Sequence, residues 1–142
     1  MDIEFGHLDG IDTQGTGWFL GFSDWVRDSS NEAGGLRYMP SDRRSHTLAM
    51  KWMRHAAGDP RGSGKPVSEG RTISILVGMP GRFRLQFSEY PDFPEESIAE
   101  YLLETNGHFC LWGEGIHHRY TVEEGCTILT LRWIPEQPSP TA

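Results

Sequence analysis

Histidines carry most of the chemistry open to this chain. His108, His117 and His118 fall in one short stretch, Gly107-His-Phe-Cys-Leu-Trp-Gly-Glu-Gly-Ile-His-His118, with Glu114 in the turn between them, and His55 closes a separate apolar run. Neutral imidazoles with an open position beside them suit zinc, iron or nickel. Adjacent residues on a strand point to opposite faces, so His117 and His118 enter one pocket together only if the turn twists them. The plainer alternative is one pocket histidine and one exposed one, because metal ligation normally needs three or more converging protein donors. A second option for His118 is acid–base chemistry with Tyr120, a pair that works only within hydrogen-bond reach of a substrate.

Other groups point to less. Gly6-His-Leu-Asp-Gly-Ile-Asp12 has acids and a histidine without the spacing of a calcium loop, and reads as an extended terminal arm. Gly34-Gly35 is followed by no Lys-Ser/Thr pair and no helix start, so it is not a phosphate cradle. Cys110 and Cys126 are too few for a disulfide framework, lack metal-ligand spacing and sit in apolar runs, which favours free buried thiols. Of Trp18, Trp25, Trp52, Trp112 and Trp133, most are core or interface mass, and Trp112, beside the Gly-x-Gly turn, is the one placed to line a ligand pocket.

The elements that must position these residues are short and β-like. Seventeen Gly and nine Pro punctuate the chain. Strands are expected near 47–55, 72–78, 82–88, 97–104, 108–112, 118–122 and 126–134. In the first, Thr47, Ala49, Lys51, Met53 and His55 share one face and Leu48, Met50, Trp52 and Arg54 the other. The alternation of Arg82, Arg84 and Gln86 with Phe83, Leu85 and Phe87 is that of a half-buried strand. Gly78-Met-Pro-Gly81 is a turn, residues 28–46 and 56–70 are connections, and 135–142 form a flexible tail. Gly17-Trp-Phe-Leu-Gly-Phe22 is a further core candidate. Many short strands between turn signals argue an all-β sandwich or barrel.

A chain of 142 residues suits one domain over 1–142 and buries about 68–70% of its unfolded surface. Thirteen Lys and Arg against 20 Asp and Glu give a charge of −7, which argues against nucleic acid as a partner because that binding depends on neutralising phosphates. The basic pair Arg43-Arg44 is too short to reverse this. No apolar run approaches membrane-spanning length and no basic start leads into an apolar stretch, so a cytoplasmic location without membrane contact is expected.

The stretch from Gly107 resembles the second signature of the cupin superfamily, which reads Gly, five residues, Pro, any residue, Gly, two residues, His, three residues, Asn. Gly107, Gly115 and His118 fall in register, while Gly113 stands at the Pro and Val122 at the Asn. Segments Thr16-Gly-Trp-Phe-Leu-Gly21, Lys51-Trp-Met-Arg-His55, Arg71-Thr-Ile-Ser-Ile-Leu76 and Leu131-Arg-Trp-Ile-Pro135 are further similar to a group of small single-domain bacterial cupin-like proteins. The resemblance implies a double-stranded β-helix, a jelly-roll barrel with its core over about 16–134, and makes His55 and His118 better pocket candidates than His117. It implies no reaction, since cupins include metalloenzymes, isomerases and binders.

In the first cupin signature, Gly58 and Gly78 keep the family separation, and the ligand positions between them are Gly64, Pro66 and Arg71. None supplies a metal donor. The expectation is therefore no metal cofactor; if a divalent transition metal is held, it is through a rearranged site with His55 and His118. In that register Arg71 projects into the barrel mouth, where its planar fork suits a carboxylate or phosphate; an ion pair with Glu69 or Glu114 is the equal alternative. Thr72 and Ser74 add hydroxyls on one strand face. The reading is a barrel binding a small anionic organic ligand through His55, Arg71, Trp112, His118 and Tyr120. The alternative is a cupin-type enzyme, a metal-dependent oxygenase or a metal-independent isomerase or lyase, with His118 and Tyr120 in the site. A homodimer is expected, because Trp18, Phe19, Phe22 and Trp25 would otherwise leave an uncovered aromatic strand.

Overall fold

The computed structural model describes residues 1–23 and 35–136. Among the described residues ten strands follow one another: β1 (Ile3–His7), β2 (Gly21–Phe22), β3 (Tyr38–Met39), β4 (Ser45–His55), β5 (Arg71–Val77), β6 (Arg82–Ser88), β7 (Ala99–Leu103), β8 (His108–Trp112), β9 (His117–Glu124) and β10 (Cys126–Pro135). They build a five-stranded sheet in the order β1-β8-β5-β10-β4 and a three-stranded sheet in the order β7-β6-β9, with β2 and β3 paired separately. Every pairing in the two larger sheets is antiparallel.

The order β4-β10-β5-β8 facing β9-β6-β7 is that of a jelly roll, so the chain is a double-stranded β-helix. Residues 62–70 run where a fourth strand of the smaller sheet would lie. They are tied to the turn before β9 by Ser68, whose N–H donates to the Ile116 carbonyl at 2.9 Å and whose Oγ donates to the Gly113 carbonyl at 2.6 Å.

Two apolar layers flank the larger sheet. Between the sheets, Leu76, Phe83, Leu85, Phe87, Leu103, Trp112, Val122 and Ile128 form the barrel core. On the other side Ile73, Ile75, Phe109, Leu111 and Trp133 are covered by Met39 and by Leu8, Ile11, Phe19, Leu20 and Leu36 from the N-terminal segment. Burial on both faces explains why β5 and β8 read as nearly continuous apolar runs. The smaller sheet shows the opposite pattern. Its outer face carries Arg82 and Arg84 paired to Glu100, Glu104 and Glu123 at 2.7–3.2 Å, a solvated ladder of little stabilising value.

The N-terminal segment departs from expectation. Of the arm expected to be extended from Gly6 to Asp12, Gly6 and His7 end β1, which pairs along the whole of β8, and Leu8–Gly10 form a 3-10 turn. Residues 16–22, expected in the barrel, contribute only β2, which pairs with β3 outside both barrel sheets. Phe19 covers the outer apolar layer while Trp18 is exposed, and Trp25 lies outside the described residues. Cys110 is buried and Cys126 half-buried, both as free thiols; burial raises both thiol pKa values. Among the described residues no helix is long and apolar enough to cross a membrane, which says nothing about membrane β-barrels.

Candidate functional site

Register decides which side chains meet inside the barrel. Across the larger sheet, Ala49, Arg132, Thr72 and Trp112 form one rung, and Lys51, Thr130, Ser74 and Cys110 the next. Thr47, Ala49, Lys51, Thr72, Ser74, Thr130 and Arg132 line a cavity of about 490 Å³ at one end of the barrel. That volume falls in the range of small-molecule pockets. Two contacts order the rungs: Ser74 and Thr130 hydroxyls lie 3.1 Å apart, and the Arg132 Nε–H donates to Thr72 Oγ1 at 3.2 Å. The smaller sheet adds Phe83, Leu85, His118 and Tyr120, and the segment before β5 adds Lys65, Ser68 and Glu69.

Four of the five site residues expected from the sequence meet here: His55, Trp112, His118 and Tyr120 all line the cavity. Arg71 does not. On β5 it shares a face with Ile73 and Ile75, and its Nη1 donates to the backbone carbonyls of Gly35 at 3.1 Å and Leu36 at 2.7 Å. The register carried over from Gly58 and Gly78 is therefore one residue out, and in a strand one residue reverses the face. Thr72 points in where Arg71 was expected. Arg71 pins the N-terminal cover instead, and burial pulls its pKa down. His117, on the opposite parity to His118, is not among the lining residues.

The cations that do reach the cavity are Arg132, Lys51 and Lys65, against one lining acid, Glu69. The sequence reading named none of the three as a site residue, although it put Lys51 on the face of His55. The signal for Arg132 was parity with Thr130, since Leu129, Leu131 and Trp133 mark the other face of β10. These charges act on one another. Burial, then Lys65 and Arg132, lowers the pKa of Lys51. His118 is pulled down to about 4, chiefly by burial and then by Arg132, Lys65 and Lys51. It is therefore a neutral imidazole at pH 7, its ring centre 5.0 Å from that of Trp112 and tilted 46° to it; among the described residues its buried Nδ1 and the buried Trp112 indole N–H have no hydrogen-bond partner.

His55 has a different setting. Its ring packs at 5.1 Å on Phe83 and 5.0 Å on Tyr120, and its Nδ1 lies 2.8 Å from Asp59 Oδ2, with the two side chains only 4% and 2% exposed. Asp59 is gripped in turn by Arg61 through Nε at 2.9 Å, Nη2 at 2.7 Å and the backbone N–H at 3.0 Å. Arg61 first and His55 second hold the Asp59 carboxyl well below the usual range. Burial lowers the His55 pKa against the opposing pull of Asp59. Lys65 completes this corner, with its ammonium 5.8 Å from the centre of the Tyr120 ring.

The donor set does not fit the metal site of cupins. Gly64 and Pro66 have no donor, Arg71 faces away, and His118 stands alone of that set. Among the described residues, no group of three or more His, Cys, Asp and Glu side chains converges as a metal site.

No family model matches this chain, and no curated protein matches it. Among solved structures it is similar to hydroxypropylphosphonic acid epoxidase from S. wedmorenis, at 13% identity and a TM-score of 0.48 over 66% of this chain and 56% of that one. The fosfomycin complex of that enzyme gives 13% identity and 0.47 over 66% and 57%. A cobalt(II) form of HppE with substrate gives 14% and 0.46 over 60% and 44%. The chain thus spans about half the length of these neighbours.

Proposed function

We propose that this barrel binds a small anionic organic molecule in the cavity between its sheets, without the metal typical of cupins, and that it is a cupin-type protein in that sense. The observation that carries the reading is the convergence of Arg132, Lys51 and Lys65 on one cavity beside a neutral His118, in a chain whose overall charge is −7. Among the described residues none of the three has a carboxylate ion pair. Three cations sharing a cavity with one lining acid, Glu69, and with no carboxylate ion pair repel one another, and an incoming anion relieves that repulsion. Hydroxyls of Thr47, Thr72, Ser74 and Thr130 supply neutral hydrogen bonds, and Trp112 and Tyr120 supply apolar walls. The reading replaces Arg71 with Arg132 as the fork that meets the anion.

Calorimetric titration with small mono- and dicarboxylates and with inorganic phosphate tests it. Arg132→Ala and Lys51→Ala should each weaken the tightest of these at least about tenfold, equivalent to ~1.4 kcal/mol. Arg71→Ala should leave that affinity within about twofold. Equal losses from Arg71→Ala and Arg132→Ala, or no binding at millimolar concentration, would remove the proposal. Elemental analysis of protein purified without chelator or nickel resin tests the metal-free part: near-stoichiometric iron, zinc, manganese or nickel that His118→Ala removes would overturn it. A second copy of the chain is the macromolecular partner in this reading, supported by the exposed outer row of β4.

A further inference from the structure

The His55–Asp59–Arg61 chain is more than binding an anion requires. Asp59 already has a bidentate guanidinium and a backbone N–H, so it does not need His55 as its cation. His55 in turn is kept neutral by burial. A carboxylate this far below its usual pKa only accepts, so the proton between them sits on His55 Nδ1 and the lone pair is on Nε2. Nε2 has no hydrogen-bond partner among the described residues, and on a residue that lines the cavity it is the nitrogen left to meet a ligand. His118 is the contrast: it lines the same cavity, but among the described residues it has no carboxylate to fix its tautomer or to take up a charge.

We propose that His55 Nε2 is a general base and that the cavity enolises carbonyl-bearing carboxylates of the 2-oxo acid class. Asp59 is the positioning residue that orients the ring. The proposal rests on the anion-binding reading above and assigns that anion a reaction. Arg132, Lys51 and Lys65 hold the carboxylate and the carbonyl oxygen. Nε2 takes a proton from the carbon next to the carbonyl. The C–H bond breaks, its electron pair becomes the carbon–carbon double bond of the enolate, and the carbonyl π pair moves onto oxygen. The imidazolium that results is balanced by Asp59 through Nδ1–H, and the enolate oxygen by the cations. Return of a proton to the same carbon restores the ketone, so the step needs no oxidant, reductant or metal. Between removal and return the proton on Nε2 exchanges with solvent. The outcome is hydrogen exchange, or epimerisation where the carbon is a stereocentre. This acid–base role falls to His55, in place of the His118–Tyr120 pair that the sequence offered under its alternative, enzymatic reading.

The test uses 2-oxobutanoate with the full-length protein in D2O near neutral pD, following loss of its C3 protons by NMR and its binding by calorimetry. The wild type should speed the loss at least about 100-fold over buffer, the lower end of what a positioned base contributes. His55→Gln should abolish the acceleration while leaving affinity within about threefold. Asp59→Asn should reduce it by at least about tenfold, and nitrogen-15 spectra should show the His55 proton leaving Nδ1, a change that loss of packing alone would not produce. Binding without exchange overturns the base assignment, as does exchange that persists in His55→Gln. Absence of binding overturns the anion-binding reading on which it rests. The wild-type measurement decides between these even if a variant does not fold.

Discussion

His118 is a titratable group kept in a place hostile to its charged form. Burial is the main cause, and Arg132, Lys65 and Lys51 add to it, giving a pKa of about 4 against an ordinary 6.5. In the unfolded chain the imidazole takes up its proton near 6.5, while the folded protein resists until about 4. Between those values the unfolded state binds more protons, so stability falls as the pH drops through that window and is level above and below it. The full difference is at most about 3 kcal/mol, less because the ring is only partly shielded from water. Chemical denaturation of the wild type should therefore weaken between pH 6.5 and 4, and His118→Leu should remove most of that slope. Retention of the full slope in the variant would place its origin elsewhere. The same cycle links binding to pH. An anion among the cations favours protonated His118, so affinity for a small carboxylate that stays ionised should rise as pH falls toward about 4, and His118→Leu should flatten the rise.

Strands set which of these side chains meet, and here parity carried more information than motif register. Expected strands at 82–88 and 108–112 coincide with β6 and β8, and the rest lie within two residues of β4, β5, β7, β9 and β10 at either end. Alternation in β6 and apolar runs in β5 and β8 made this legible, because each strand buries at least one face. Arg71 and Arg132 show the limit. The glycine register aimed Arg71 inward, although Thr72 and Ser74 had already been read as one face, which forces Arg71 to the other. Asp59 and Arg61 were not legible, because a Gly/Pro-rich connection has no periodicity to reveal that it folds back onto His55. That fold depends on Gly62, where an added Cβ would lie 2.0 Å from the Tyr120 carbonyl oxygen. Gly62→Ala should cost roughly 1–3 kcal/mol as overpacking against backbone. It should also loosen the Asp59–His55 hydrogen bond, visible as changed His55 ring shifts in NMR spectra. A variant as stable as wild type, with unchanged ring shifts, would show that the connection yields without consequence.

At the scale of the whole molecule, the outer apolar layer of the larger sheet extends past its cover. Over β5, β8 and β10 it is sealed by Met39 and the N-terminal segment, but on β4 Leu48, Met50 and Trp52 remain 70%, 62% and 64% exposed. Among the described residues β4 is also the edge of that sheet, paired with β10 alone, so one side of this 11-residue strand has no strand partner there. A long edge beside an exposed apolar row is an association site, which natural proteins cover or blunt with charge. A second copy related by a twofold axis answers both features, since two β4 strands can pair antiparallel and bring the two Leu48-Met50-Trp52 rows side by side. This moves the expected dimer contact from the aromatic residues near Trp18 to β4. Light scattering at micromolar concentration should report a dimer, and Met50→Glu with Trp52→Lys should shift it to monomer. Both substitutions are on the outer face, so the cavity should keep its carboxylate affinity within about threefold. A wild-type protein that is monomeric at that concentration, or a dimer that survives both changes, would show that β4 is not where copies meet.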